Sequence, residues 1–519
     1  MKDSAEPAGL RAQAPAITSS EAILAGDGWG LHSQAPAISR AKPSVRRPSV
    51  SVGALEPLGA SLTRSHRNSA GESGGTSTRT GTPPRRLIII LWVVSAVAGL
   101  YGLQELLYPN PGFRPRGWWQ WGYALLCLVW VVPILPASVA FIGSMWYRHV
   151  DNSAVAPIDT LVSWRIVSRG TNVSALRSTI ERCQREMAAR PLFPHVIEVV
   201  VDDKAPDLPR APNIRYIVVP PDYETPNGSL FKARALQYAL DNAALPDDAW
   251  IVHLDEETQP TPSGIEGIAQ MIREEEAAGT FRIGQGCILY HRDWKRHPIL
   301  TLADMLRTGD DLSRFYFQHK LGVTLFGLHG SYIVVRNSVS KEVGFDFGPE
   351  GSITEDAFWA LVQMGNGRRA RWCHGYLEEQ STQSLMDFVK QRRRWYLGLL
   401  KVVLYAPVPL RWWLPLGITT AFWTLMPIGC LYTFTHFFYG TAVPEPARAI
   451  ANLAFGIYIM LYVMGLRVNL DEAGERRWWK RQFWYMSMVL LIPLFCVLEA
   501  AGIAYGLVKR ETGFHVVKK

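Results

Sequence analysis

Cysteine is scarce in this 519-residue sequence, and the cysteines present form no recognisable pattern. The six cysteines are widely separated, and no two of them stand at C-x-x-C spacing. Thiolate zinc sites and disulfide frameworks both need paired or regularly spaced cysteines. We therefore expect neither kind of site, and a reducing, cytosolic environment is the default for the folded part of the chain.

The first part of the chain has almost no aromatic residues and no long apolar run. Residues 1–84 are rich in Ser, Ala, Pro, Gly and Arg. Such a segment cannot bury enough apolar surface to offset its chain entropy, so we predict a disordered tail over residues 1–84. Because the first apolar run begins only at Leu87, we also expect no signal peptide.

Acidic residues are outnumbered by basic ones, and the net charge is +9. The basic residues cluster beside apolar runs, which favours a protein that faces anionic membrane lipids or phosphorylated substrates. The same clustering argues against nucleic acid as a partner.

Five apolar runs approach or reach the length of about 20 residues that a transmembrane helix needs. They occupy residues 87–103, 123–146, 412–438, 450–466 and 483–507. We predict two transmembrane helices within residues 85–150, and about three more, with a short tail, within residues 409–519. Basic residues flank the start of the first run and the end of the second, so the segment that follows should lie in the cytosol.

Five spans would leave the Lys- and Arg-bearing C-terminal tail on the opposite side of the membrane, against the positive-inside rule. Either the tail is a tolerated exception or one of the runs is re-entrant, and the sequence leaves both alternatives open. The prediction is an integral multi-pass protein of the endomembrane system (ER or Golgi) or the plasma membrane, with its soluble domain in the cytosol.

Residues 151–384 have the composition of a soluble domain, in which strand-length apolar runs alternate with amphipathic stretches. This alternation predicts an α/β fold with a mostly parallel sheet and helices on both faces. The predicted strands are 160–167, 196–201, 216–219, 250–254 and 328–335, and the predicted helices are 174–188, 231–242 and 355–364. Residues 385–408 mix Lys and Arg with Trp and Leu, which predicts an interfacial helix.

Residues 250–258 combine a predicted buried strand with three consecutive acidic residues, 255–257. Asp255 and Glu257 lie at the C-terminal end of that strand, where open α/β sheets bind ligands. Two carboxylates at this spacing could hold one Mg²⁺ or Mn²⁺ ion, the usual partners of phosphates. The alternative is a solvated acidic turn.

Four short motifs follow one another along the chain. They are Asp202-Asp203 at a strand end, Asp255-Glu256-Glu257 at another, Thr354-Glu355-Asp356 at a helix start, and the QRRRW string of residues 391–395 before a membrane span. In this order they resemble the D, D-x-D, T/S-E-D and Q-x-x-R-W signature of membrane-embedded family 2 glycosyltransferases, over roughly residues 157–400. Glu257 departs from the D-x-D pattern, which has a second aspartate at this position. The D-E-E sequence instead resembles the motif of the egghead-type β-1,4-mannosyltransferase branch.

The resemblance implies a GT-A domain, which binds nucleotide sugars, inserted between the transmembrane helices. It implies a donor-binding role for Arg169, Asp202, Asp203, Lys232, Arg234, Asp255 and Arg394. It implies an acceptor-binding role for Gly330, Ser331, Gln391 and Trp395. Asp255 and Glu257 would hold Mn²⁺ or Mg²⁺, and Asp356, beside Glu355 in the catalytic pair, would be the general base.

Simpler interpretations of these residues stay open. Asp356 is also placed to act only as a helix-capping acid, and Asp202 as a strand-end turn acid. Lys232 and Arg234 suit an exposed helix face, while Arg and Trp commonly anchor helices at bilayer surfaces.

The function that the resemblance implies is inverting, metal-dependent transfer of a hexose from a nucleotide sugar to a lipid-linked sugar at the membrane surface. For the egghead-type branch, the donor would be GDP-mannose and the acceptor glucosylceramide. One alternative is a processive polysaccharide synthase that uses a UDP-sugar and extrudes the polymer. However, the spans carry few charges, with Glu499 an exception, so no polar channel is obvious. The other alternative is a transporter or scaffold with a degenerate transferase domain.

Overall fold

The computed structural model describes residues 85–107, 117–202, 208–292, 294, 296–439 and 443–509. The tail predicted over residues 1–84 and the end of the C-terminal segment lie outside the described residues, as does Asp203. All six cysteines are within the described part of the chain, and each is a free thiol.

The described strands form one eight-stranded, mostly parallel sheet. In sheet order they are β3, β2, β1, β4, β7, β6, β8 and β5. Strands β1, β2, β3 and β4 pair in parallel, as do β6 and β8, whereas β7 runs antiparallel to both β4 and β6. The bounds are β1 Val162–Ser168, β2 His195–Asp202, β3 Ile214–Val219, β4 Trp250–Asp255, β5 Gln259–Pro260, β6 Ile283–Leu289, β7 Ile333–Arg336 and β8 Ala370–Glu378.

Helices cover both faces of the sheet, because its central strands carry apolar residues on both sides. In β4, Trp250, Val252 and Leu254 belong to one buried cluster and Ile251 to the other. The α-helices that follow β1 and precede residue 410 are α5 Val173–Ala189, α6 Phe231–Asn242, α7 Pro262–Ala278, α8 Pro298–Asp310, α9 Tyr316–Lys320, α10 Asn337–Lys341, α11 Glu355–Gly365 and α12 Leu385–Tyr405. Helices α5 and α7 pack on the first cluster and α6 on the second, so the predicted α/β fold class is confirmed.

Five segments of the described chain are long and apolar enough to cross a membrane, with 23 to 31 residues each. The first is α1, Arg85–Leu107, and the second runs over Trp118–Trp146 as α2 Trp118–Leu125, α3 Leu128–Val131 and α4 Ile134–Trp146. The other three are α13 Leu410–Tyr439, α14 Glu445–Glu472 and α15 Trp478–Val508. The five predicted spans are therefore confirmed by length and composition, while the interfacial position of α12 stays a prediction.

One predicted strand is wrong over most of its length. Of residues 328–335, only the last three belong to β7, and the preceding residues run as an irregular segment beside the end of β4. Positive φ angles at Gly327 (80°) and Tyr332 (62°) interrupt the extended conformation that a strand requires. The apolar residues there pack in the core without forming a ladder, which the sequence pattern alone does not distinguish from a strand.

The soluble domain and the membrane helices meet at glycines that allow backbones to touch. A Cβ atom on Gly465 of α14 would overlap the carbonyl oxygen of Met305 in α8, and one on Gly309 of α8 would overlap that of Leu461 in α14. A Cβ atom on Gly502 of α15 would lie 2.6 Å from the Cβ atom of Arg392 in α12. Because small residues permit this approach, the domain is held rigidly against the bundle.

We expect Gly465→Ala to destabilise the protein by about 1–3 kcal/mol, because the added methyl group overpacks the crossing of α8 and α14. Thermal unfolding of the detergent-purified protein measures the effect. Gly102→Ala in α1 is the matched control, since nothing lies within 4 Å of its Cβ position. Equal unfolding temperatures for the two variants would contradict the proposed tight crossing.

Candidate active site

A cavity of about 380 Å³ opens at the C-terminal ends of β1, β2 and β4. Parallel strands deliver the residues at their carboxyl ends to the same edge of a sheet, which is where ligands bind in open α/β folds. Of the residues singled out in the sequence, it is lined by Arg169, Asp202, Lys232, Asp255, Glu257, His329, Gly330, Thr354, Glu355, Asp356, Gln391, Arg394 and Trp395. Residues scattered over more than 200 positions of sequence thus converge on one site.

The acidic turn after β4 is held from behind by a serine. The Asp255 backbone N–H donates to Ser331 Oγ at 2.8 Å, and the hydroxyls of Ser331 and Thr258 lie 2.9 Å apart. Glu256 accepts a hydrogen bond from Ser168 at the end of β1. Ser331 is only 2% exposed, and its hydroxyl group contacts the acidic turn. Its acceptor-binding role stays a prediction.

Lys232 lies at the centre of the charges in the cavity. Its ammonium group pairs with Asp255, lies 3.3 Å from Glu355 Oε1 and donates to the Gly330 carbonyl oxygen at 3.0 Å. Burial alone would lower the pKa of Lys232, but the carboxylates of Asp255 and Glu355 outweigh burial and raise it. The preceding residue, Phe231, has a positive φ of 53°, an uncommon conformation that begins α6 at this point.

Asp356 occupies the first turn of α11, facing the cavity. Its Oδ1 atom accepts a hydrogen bond from the Ala357 backbone N–H at 2.7 Å. Burial, and then the neighbouring Glu355 carboxylate, raise the pKa of Asp356 to about 8. The helix begins after Thr354, as predicted, but the Thr354 hydroxyl makes no capping hydrogen bond. A pKa in this range suits a group that takes up and releases protons during a reaction, and the general-base role of Asp356 stays a prediction.

Gly330 is the close neighbour of both charged groups. A Cβ atom on it would lie 2.9 Å from Lys232 Nζ and 3.1 Å from Asp356 Oδ2. A side chain here would therefore press on the ammonium group of Lys232 and on the carboxylate of Asp356. The cavity wall at this point is backbone, which lets a bound molecule approach Asp356 closely.

Asp202 and Arg234 form an ion pair at the end of β2. Arg234 also donates to the Tyr223 carbonyl oxygen at 2.8 Å. Asp202 lines the cavity and Arg234 does not, so Arg234 acts on the site by pairing with the Asp202 carboxylate. Arg169 lies at the end of β1, next to Gly170, whose φ is 78°. Asp203 lies outside the described residues, and its predicted role is not described by the structure.

Helix α12 presents Gln391, Arg394 and Trp395 to the cavity from one face, at i, i+3 and i+4 spacing. Arg392 does not line the cavity but supports this face from behind, because it donates to Gln391 Oε1 at 2.8 Å and its guanidinium lies 4.3 Å from the Trp395 ring centroid. It is 2% exposed, lies 2.8 Å from Asp304 of α8 and pairs with Glu499 of α15. Glu499, the acid noted in the predicted spans, therefore neutralises Arg392 behind the active site.

Sequence reasoning missed a second group of charged residues that line the cavity: Arg307, Asp310, Arg314 and Glu379. The guanidinium of Arg307 lies 3.8 Å from Glu379 Oε2 and 4.6 Å from the Trp395 ring centroid. Arg307, Asp310 and Arg314 stand at i, i+3 and i+7 spacing, which indicates one face of a helix and could have revealed them.

His329 also lines the cavity, next to Gly330. Its Nε2 atom lies 3.2 Å from Asp311 Oδ1. Burial lowers the pKa of His329 and raises that of Asp311, so burial favours the neutral form of each group. This pair fixes the segment that leads to Gly330.

The residues at the acidic turn suit a divalent cation that arrives with a phosphorylated ligand. Among the described residues, no three His, Cys, Asp or Glu side chains form a group that could hold a metal by themselves. Asp255 and Glu257 nevertheless present hard carboxylate oxygens to the same cavity. Mg²⁺ is commonly held by one or two carboxylates together with substrate phosphates, and this donor set fits that pattern.

A sheet edge that carries paired acids, a central lysine and a carboxylate base is the arrangement of a GT-A glycosyltransferase. Residues 250–497 match the family described as "Glycosyl transferase family group 2". The β-1,4-mannosyltransferase egh of Drosophila melanogaster is 32% identical over 417 residues, covering 78% of this chain and 90% of the relative. The β-1,4-mannosyltransferase bre-3 of Caenorhabditis elegans is 30% identical over 395 residues, covering 74% and 86%.

The chain belongs to this family of membrane-embedded family 2 glycosyltransferases, together with egh and bre-3. It is accordingly a hexosyltransferase that forms a β linkage. The family resemblance and the enzyme class that the sequence predicted are both confirmed. Among solved structures, the mannosyltransferase PcManGT from Pyrobaculum calidifontis, in complex with GDP-Man and Mn²⁺, has a TM-score of 0.43 and 12% identity. That likeness covers 75% of this chain and 100% of the other, and it does not bear on substrate or cofactor.

We expect Gly330→Ala to reduce hexose transfer by about 10-fold, because a methyl group between Lys232 and Asp356 forces at least one of them to shift by a few tenths of an ångström. Initial rates of transfer, measured with the unfolding temperature, test this. Gly99→Ala, with nothing within 4 Å of its Cβ position, is the control and should retain full activity. An active Gly330→Ala enzyme would show that Asp356 is not where the reaction takes place.

Proposed function

We propose that the enzyme is an inverting, metal-dependent mannosyltransferase that moves mannose from GDP-mannose to a glucosylated sphingolipid at the membrane surface. The observation that carries the proposal is the meeting of Asp356, Lys232 and the acidic turn around Gly330 in one cavity. The names of the relatives support mannose as the transferred sugar. The membrane spans beside the cavity support a lipid-linked acceptor.

The donor would occupy the end of the cavity nearest β1 and β2. Arg169 and the Asp202–Arg234 pair are placed to contact the nucleoside, while Lys232 and Arg394 supply positive charge for the diphosphate. Asp255 and Glu257 would hold Mn²⁺ or Mg²⁺, which supplies charge to stabilise the diphosphate leaving group. Glu355 keeps Lys232 in position by pairing with it.

Asp356 would act as the general base. Its carboxylate takes the proton from an acceptor hydroxyl as that oxygen attacks C1 of the mannose. The bond between C1 and the diphosphate oxygen breaks on the opposite side, so the anomeric configuration is inverted and GDP leaves. Gly330 leaves room for the acceptor hydroxyl at this point, and Gln391 and Trp395 line the acceptor side with Ser331 behind the wall.

The first test is a transfer assay on the detergent-purified protein with GDP-mannose, UDP-glucose and UDP-N-acetylglucosamine, with and without glucosylceramide. We expect a single mannose to be added to glucosylceramide, and EDTA to abolish transfer until Mn²⁺ or Mg²⁺ is restored. A long product made from a UDP-sugar without the lipid would identify a polysaccharide synthase instead. Transfer that survives EDTA would rule out the metal at Asp255 and Glu257.

We expect Asp356→Asn to lose about 10²–10⁴-fold in rate, the usual contribution of a general base. In the wild type, kcat/KM should rise about tenfold per pH unit up to pH 8, because the base works deprotonated and its pKa is raised to about 8.

The stability of the same variant separates loss of the base from loss of the fold. A carboxyl whose pKa is raised by folding stabilises the folded state at low pH and loses that contribution as pH rises through 8. Asp356→Asn should therefore be no less stable than the wild type at pH 9. Undiminished transfer by a folded Asp356→Asn protein would refute the mechanism.

A further inference from the structure

The active-site cavity does not end at the catalytic acids but continues between two helices. On α12, the lining passes from Trp395 to Leu399, one further turn along the same face. On α13, it is formed by Leu416, Thr419 and Trp423, whose i, i+3 and i+7 spacing also makes one helix face. We call the four residues Leu399, Leu416, Thr419 and Trp423 the α12–α13 groove.

The chemistry of the lining changes along this path. Near Asp356 the cavity is lined by charged groups, whereas the α12–α13 groove presents leucine, indole and methyl surface. The hydroxyl of Thr419 donates to the Pro415 carbonyl oxygen of its own helix at 3.0 Å, and the residue is 8% exposed. The groove therefore suits an apolar ligand better than a hydrated one.

The groove also lies along a helix that can cross the membrane. Helix α13 begins at Leu410, and Arg411 and Trp412 follow, with the guanidinium 5.0 Å from the indole centroid. Arg and Trp side chains of this kind mark the level of the bilayer interface. At 1.5 Å rise per residue, Leu416 lies about 9 Å and Trp423 about 20 Å along the helix from Leu410, within a hydrocarbon core about 30 Å thick.

We propose that the α12–α13 groove binds the hydrocarbon end of the acceptor lipid while its sugar reaches Asp356. This inference rests on the proposed function and adds to it a lipid site with named residues. A cavity continuous from the catalytic base to a membrane helix lets the acceptor present its hydroxyl without leaving the bilayer. A polar polymer passing outward would instead need hydrogen-bonding partners along the same path.

Photo-crosslinking tests the site directly on the full-length protein in phosphatidylcholine nanodiscs. The probe is glucosylceramide that carries a diazirine in its acyl chain, near the headgroup. This probe is itself a candidate acceptor. We expect labelling of peptides containing Leu399 and residues 416–423, and displacement of that label by excess unlabelled glucosylceramide. Labelling confined to outward-facing residues such as Leu431 and Phe434, undiminished by competitor, would overturn the lipid site.

A substitution that fills the groove gives a second measurement. Thr419→Phe should lower the ratio of kcat/KM for glucosylceramide to that for a short-chain alkyl glucoside at least tenfold. Thr433→Phe is the matched control, because Thr433 is an exposed threonine of the same helix whose hydroxyl also bonds to its own backbone, at Gly429. An equal fall in both rates, or none, would count against the groove as the lipid site.

Failure of the inference can be told apart from failure of the proposed function. Displaceable labelling of the groove without mannosylation of the probe would refute the function and keep the lipid site. Mannosylation of the probe without displaceable labelling would keep the function and refute the site. A growing polymer that protects the groove from labelling would refute both.

Discussion

The site depends on one cation placed among several acids. Asp255, Glu355 and Asp356 share a cavity from which much of the water is excluded, and their mutual repulsion would drive them apart or protonate them. The Lys232 ammonium contacts the first two and lies against the backbone beside the third, at Gly330. Burial and the neighbouring Glu355 carboxylate raise the pKa of Asp356 to about 8, which suits the general base that we propose.

The membrane helices are structural parts of the active site and do more than anchor it. The crossing of α8 and α14 at Gly309 and Gly465 fixes the helix that carries Arg307 and Asp310 to the cavity. Arg392 joins α12 to α8 and α15 through Asp304 and Glu499, directly behind the face that presents Trp395. Buried ion pairs of this kind add little net stability but tolerate few alternative arrangements, so they fix the position of α12.

Most of the fold and half of the site followed from local sequence. The ends of β2 and β4 and the start of α11 can be placed from apolar run lengths, which put Asp202 and Asp255 at the carboxyl ends of parallel strands. That Asp356 joins them followed from the resemblance to family 2 glycosyltransferases. Ser331 could not be placed in this way, because its contact with Asp255 depends on an irregular segment that reads as a strand. Arg307 was missed for a related reason: its spacing with Asp310 and Arg314 indicates a shared helix face, but no pattern within residues 298–310 shows that this face meets the cavity.

The pairing of Arg392 with Glu499 has a consequence for how the enzyme is made. Glu499 belongs to α15, the last membrane helix of the described chain, so it leaves the ribosome after every strand of the sheet and after α12. Until α15 is in place, Arg392 lacks one of its two acidic partners and keeps only Asp304 of α8. The set of contacts behind Trp395 is therefore completed only by the last membrane helix of the described chain, after the whole sheet has been synthesised.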